Sequence, residues 1–245
     1  MESLILFTVT GFLAELVCGA LGMGYGVTST TLLLSLGLSP AAASAAVHAA
    51  ECFVMGASAI SHHKFGNIDK ILFKKLAVPG VIGAVLGAYA LSHLPGDRIK
   101  PYISAYLLLM GVLIVLKAVR NIAPKRVTTH VRPLGFFGAL LDVIGGGGWG
   151  LVVTSNLVAR GNHVREAVGS ANAARFFVTV AASATFFMTM GLENITAIAG
   201  LAVGGVLAAP LAAWACKKIP VKPGMIAVGI LVILLSLYNL GKILL

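Results

Sequence analysis

Four ionisable residues lie inside long apolar runs of this chain: Glu15, Glu51, Asp142 and Arg175. A charge at the centre of a helix in such surroundings costs about 2.5–3.5 kcal/mol, so its presence points to function or to a partner. Glu51 and Arg175 stand 124 positions apart, as do His48 and Asn172. A guanidinium offers a planar fork of donors that matches carboxylate, sulfite or sulfonate oxygens. Arg175 is therefore a candidate anion contact, with Asn172 one turn before it. Glu51, His48 and Asp142 are candidates for carrying a coupling proton. In the competing reading Glu51 and Arg175 only neutralise each other. Asp142 reads first as a brace for the segment that follows it. Glu15 is a further intramembrane acid, and His62 and His63, beside Lys64, read as interfacial.

Two glycine-rich stretches supply the second kind of chemistry. "GALGMGYGVTSTTLLLSLG" (19–37) and "VIGGGGWGLVVTSNLVARG" (143–161) align at an offset of 124. Gly22, Gly24, Gly26 and Thr30 meet Gly146, Gly148, Gly150 and Thr154, while Tyr25 meets Trp149 and Thr31 meets Ser155. Each stretch breaks an apolar segment, and a short helix is expected to restart near Val27 and near Leu151. Unpaired N–H groups at such a start carry the positive end of the helix dipole. Glycines, Gly147 included, let a ligand approach the backbone. Thr28, Ser29, Thr30, Thr154 and Ser155 add hydroxyls, so the pair of breaks reads as an anion site. The alternative is that the glycines serve close helix packing.

The elements that must hold these groups are membrane helices. Mean hydropathy is +0.98, 58% of residues are hydrophobic and 11% are charged, which leaves too little polar surface for a soluble domain. Several runs exceed the ~20 residues needed to span a bilayer, and they are apolar on all faces, unlike barrel strands. "MESLILFTVTGF" lacks the basic start of a cleaved leader. Cys18, Cys52 and Cys216 have no metal-like spacing. The net charge of +10 reads as cytoplasmic loops rather than nucleic-acid binding.

A second internal match fixes the plan. "LAVPGVIGAVLGAYALSHLP" (76–95) and "LAVGGVLAAPLAAWACKKIP" (201–220) agree at ten of twenty positions. The chain reads as two copies of one unit. The first, 1–120, has a hairpin over 3–37 and helices near 40–62, 70–94 and 100–119. A linker over 121–133 follows. The second, 134–245, has a hairpin over 134–160 and helices near 166–188, 196–216 and 223–244. Placing the basic clusters at 64–75, 117–132, 160–165 and 217–222 inside puts 14 of the 18 basic residues in the cytoplasm. Equivalent loops then face opposite sides, both termini face outside, and the copies are inverted about an axis in the membrane plane. Inverted repeats with interrupted helices are a recurring transporter plan.

"GMGYGVTSTTLLLSLGLSPAAAS" and "GGGGWGLVVTSNLVARGNHVREAVGS", repeated in one short chain, resemble the TauE/SafE family of sulfite and sulfonate permeases over nearly the whole length. The resemblance implies an eight-span carrier of sulfite, sulfoacetate or a related small organic anion, in a bacterial-type inner membrane. "AVHAAE" (46–51) departs from the family's Gly-Thr-Ser signature at that place, whereas "AVGSAN" (167–172) is closer.

The function expected is a secondary transporter for a small sulfur-containing or carboxylate oxyanion, working by alternating access and coupled to protons. Its partners are that anion and the bilayer, with no nucleic acid, as a monomer or homodimer. No cofactor or metal is expected. An anion channel using the same half-helix ends is the alternative. No Walker loop or HExxH motif is present to support ATP hydrolysis or intramembrane metalloenzyme chemistry.

Overall fold

Small residues at helix crossings and hydroxyl or carboxylate caps at helix starts organise the chain. The computed structural model describes residues 2–119, 130–154, 156–157, 163–191, 193–215 and 221–244. Every regular element among them is helical. In chain order these are α1 (Glu2–Leu21), α2 (Tyr25–Ser35), α3 (Pro40–Lys64), α4 (Lys70–His93), α5 (Gly96–Val119) and α6 (Val131–Gly145). A π-helical turn (Gly150–Thr154) follows, then α7 (Val164–Met190), α8 (Ile195–Ala215) and α9 (Val221–Leu244). Among the described residues, α3, α4, α7, α8 and the Arg98–Leu116 part of α5 are long and apolar enough to cross a bilayer. The chain is a polytopic α-helical membrane protein.

The starts of α3 and α4 show local coding at work. Ser39 accepts a hydrogen bond from the Ala42 amide, with Pro40 in the first turn where a missing N–H costs nothing. Asp69 Oδ1 accepts from the Ile71 and Leu72 amides at 2.8 and 3.1 Å. Asp69→Ala is expected to destabilise the protein by about 1 kcal/mol. A lowered thermal midpoint in detergent checks this, and Asp69→Asn, which keeps an acceptor, should recover most of it.

Packing repeats itself with the two halves exchanged. α1 lies along α8, and α6 lies along α4. A side chain on Gly11 would run into the backbone of Leu201, and one on Gly135 into that of Leu76. Gly205 faces Val54 and the Tyr25 ring, while Gly80 faces Val178 and the Trp149 ring. These are equivalent positions in the two aligned copies. Without a hydrophobic drive between helices in lipid, such backbone approach supplies much of the cohesion. α3 touches both α7 and α8, α4 touches α7, and α5 pairs with α9. The side chains left facing outward, such as Phe53, Ile82, Leu86, Phe187 and Leu207, are apolar and exposed, as a lipid-facing surface requires.

Candidate functional site

The two helix breaks meet in the interior. After α1 the chain turns through Gly22 and Gly24, at φ 73° and 115°. After α6 it turns through Gly146, Gly147 and Gly148, at φ 69°, 158° and 150°. Residues with a Cβ adopt the φ +70° conformation only at a cost, which accounts for glycine at Gly22 and Gly146. The contacts between the breaks are again reciprocal. Gly22 lies against the Thr154 side chain, and Gly146 against Thr30, whose hydroxyl donates to the Gly146 carbonyl. A methyl group on Gly26 would stand 3.1 Å from the Gly147 Cα and 2.8 Å from Arg175 Nη2. One on Gly150 would collide with Gly22 O and the Met23 Cα. The breaks are therefore in direct backbone contact, and in this conformation their glycines serve close approach. Tyr106 of α5 closes over the second break, its hydroxyl donating to Gly147 O at 2.9 Å.

The flanking residues divide into anchors and unspent donors. The Tyr25 hydroxyl donates to Leu201 O at 2.9 Å, and Trp149 Nε1 donates to Ala171 O at 3.2 Å. Both aromatic rings are fully buried, so they pin their hairpins to α8 and α7. The Thr28, Ser29 and Thr154 hydroxyls are buried and meet no hydrogen-bond partner among the described residues. α2 starts at Tyr25 and runs as an α-helix, while its counterpart is the π-helical turn from Gly150. Ser155 lies outside the described residues.

Beside the breaks sits a buried charged cluster. Arg175 of α7 places Nη2 2.8 Å from Glu51 Oε1 of α3 and 3.1 and 3.2 Å from the two oxygens of Asp142 of α6. Asp142 Oδ1 also accepts the Trp149 amide at 2.8 Å. Asp142 thus both braces the second break and shares the guanidinium. Cys18, which aligns with Asp142 in the repeat, lies on the same arginine, with Sγ 3.9 Å from Nη1. The chain distance between Asp142 and Arg175 concealed their pairing, and the alignment set Asp142 opposite Cys18 without showing that both reach Arg175.

His48 completes the cluster from α3. Its Nδ1 lies 2.8 Å from Ser44 O one turn back, which accepts only a proton-bearing nitrogen. Nε2 then faces Asp142 Oδ2 at 3.6 Å. Two acceptors face each other there unless a proton lies between them. His48, Glu51 and Asp142 bring ligand-type atoms within 4.8 Å of one another, but the cation that joins the two carboxylates is the guanidinium. Glu15 and Asn172 border the group, with Asn172 Nδ2 3.3 Å from Ser58 Oγ. Three carboxylates and one guanidinium sum to −2, so the cluster is neutral when it holds two protons.

A cleft of about 30 Å³ opens between α3 and α7 near Met190, room for little more than one water. Phe186 lines it, and its ring centroid stands 6.3 Å from that of His48. His62, expected at the interface, is instead buried. Its Nε2 lies 3.0 Å from Gly19 O, and its Nδ1 lies 3.1 Å from the Asn67 amide nitrogen.

Residues 7–239 match the family model described as sulfite exporter TauE/SafE. The chain belongs to the TauE/SafE family. It is also 43% identical, over 95% of its own length and 81% of the relative's, to the probable membrane transporter protein YtnM of Bacillus subtilis strain 168. No solved structure matches it significantly. This TauE/SafE protein is accordingly a multi-pass membrane transporter, and the buried Arg175 cluster between its two helix breaks is the candidate site.

Proposed function

We propose that this TauE/SafE transporter moves a small oxyanion, sulfur-containing or carboxylate, by proton-coupled alternating access. The observation that carries the reading is the position of Arg175 Nη2, shared between Glu51 and Asp142 where the two breaks meet. The guanidinium has the geometry to take an oxyanion, but both carboxylates already occupy it. An incoming anion must displace one of them. A proton on Glu51 removes that competitor's charge and opens its side of the guanidinium to the substrate, while Asp142 stays paired. One proton and one anion then enter together, and the loss of both restores the ion pair. Gly26, Gly147 and the start of α2 form the wall beside Arg175, and the free hydroxyls of Thr28 and Ser29 are the donors nearest in sequence to that wall.

The reciprocal contacts of the two halves support an inverted repeat. In that arrangement the breaks separate on one face and then on the other, the termini face outside a bacterial-type inner membrane, and the basic clusters face the cytoplasm. The 121–129 part of the linker lies outside the described residues.

Proteoliposome flux tests the reading directly. Sulfite, thiosulfate, sulfoacetate and acetate are offered with and without an inward proton gradient. Saturable, gradient-driven uptake of one of them is expected. Glu51→Gln should bind that anion at least as well, because the competing charge is gone, while its uptake ceases to depend on the gradient. Unitary currents in a planar bilayer would instead assign an anion channel. Gradient-driven uptake that survives in Glu51→Gln removes Glu51 from the coupling step.

A further inference from the structure

Arg175 leaves one buried acid unserved. Glu15, on α1, is fully buried, and neither carboxylate oxygen meets a hydrogen-bond donor in good geometry among the described residues. The Ser58 hydroxyl of α3, Arg175 of α7 and Glu51 of α3 are near enough to act on its charge. Cys18 on its own helix and Tyr25 of α2 are near enough for its charge to act on them, and α8 meets the same stretch of α1 with Ala212, beside Gly19. Gly19 leaves room for the carboxyl: a Cβ there would stand 2.8 Å from Glu15 Oε1.

The surroundings favour a small positive charge. Ser58 Oγ accepts from Asn172 Nδ2 at 3.3 Å, which leaves its own hydrogen free for Glu15. Asn172 Oδ1 has no partner among the described residues. An unpaired ionised carboxylate buried in such surroundings is far more costly than the neutral acid. Metal cations want about six oxygens, and among the described residues the one group of side chains close enough to hold a metal ion is His48, Glu51 and Asp142, without Glu15. A proton needs a single oxygen.

α3 also carries a buried polar stripe. Ser44, His48, Glu51, Ser58 and His62 are all buried and recur at helical spacing along one face. They cover 18 positions, or about 27 Å of helix at 1.5 Å per residue, close to the ~30 Å hydrocarbon thickness. The stripe ends at His62 and the buried Asn67, which adjoin the exposed Lys64, Phe65 and Gly66. Asn67 Nδ2 can only donate to His62 Nδ1, and Gly19 O can only accept from Nε2. His62 is thereby held as the Nε2-protonated neutral tautomer, with its carbonyl partner one turn of α1 beyond Glu15.

We propose that Glu15 is a second proton-binding site, distinct from the Arg175 pairing, which exchanges its proton by way of the Ser58 hydroxyl of α3. The carboxylate takes up one proton to become the neutral acid and releases it again, with no other bond changed. This shares with the proposed function only the premise that protons move through the bundle, and its test needs no transported anion.

Infrared spectroscopy of the protein reconstituted in phosphatidylethanolamine–phosphatidylglycerol vesicles reads the site. A protonated-carboxyl C=O band is expected in the unaltered protein and is expected to be lost in Glu15→Gln. In Ser58→Ala the band should remain, but its hydrogen–deuterium exchange should slow by about tenfold or more. An undiminished band in folded Glu15→Gln overturns the proposal. So does unchanged exchange in Ser58→Ala, a variant that keeps Glu15 and carries the test even where Glu15→Gln fails to fold. Loss of gradient-driven uptake in the flux assay, with these spectra as expected, would strike the anion reading and leave Glu15 standing.

Discussion

Arg175→Gln is expected to abolish transport and to destabilise the protein by about 3–5 kcal/mol, the usual cost of leaving buried charges without their partner. Two carboxylates lose their counter-charge at once, because Nη2 serves both Glu51 and Asp142. Thermal unfolding in detergent should show the loss directly. Adding Glu51→Gln should recover part of the stability, and adding Asp142→Asn most of the rest. The asparagine keeps an oxygen for the Trp149 amide, so the brace on the second break survives. Transport should not return in either the double or the triple variant, since the anion's contact is still missing. Where binding can be measured, the affinity loss should be about 10- to 100-fold, from the 1.5–3 kcal/mol of a charge-assisted hydrogen bond. Recovery of transport together with stability would reduce Arg175 to a structural ion-pair partner. Arg175→Lys should hold the fold better than Gln and still transport poorly, because a point charge cannot reproduce the planar fork.

Gly26→Leu and Gly150→Leu should each prevent recovery of folded protein. At both positions a side chain would enter the backbone of the opposite break. Overpacking in a core typically costs about 1–3 kcal/mol, and here the obstructing atoms include main chain at Gly147, Gly22 and Met23, which cannot turn aside, together with the paired Arg175 guanidinium at Gly26. Absence of a monodisperse peak in size-exclusion chromatography is the readout. Gly37→Ala and Gly191→Ala provide the contrast. Both glycines have positive φ, 98° and 79°, but a Cβ at either meets nothing within 4 Å. Each should cost only about 1–2 kcal/mol of backbone strain and remain folded. Gly148 is intermediate: its Cβ would strike the Tyr106 hydroxyl, so Tyr106→Phe should partly rescue Gly148→Ala. Full folding and normal flux in Gly26→Leu would show that the breaks do not rest against each other as described.

Membrane class and helical character were legible in the sequence because they depend on local quantities. The apolar runs and the glycine interruptions act within a few residues of themselves. The internal repeat was legible too, since Gly11 and Gly135, Tyr25 and Trp149, and Thr30 and Thr154 fall at one offset. It paired Glu51 with Arg175, and these two are in contact. Only the tertiary structure decided what lies across from each residue. That the glycines of one break rest on the backbone of the other depends on how the hairpins are set against each other, which no sequence spacing encodes. Asp142 joins Arg175 across 33 residues of chain. His62, next to exposed His63 and Lys64, turns inward because α1 offers it the Gly19 carbonyl. Glu15 is fully buried, with neither oxygen hydrogen-bonded among the described residues, because of how α1 packs against α8 and the first break. A buried charge is recognisable from its apolar neighbours in sequence, but whether it has a partner is set by packing between helices distant in the chain.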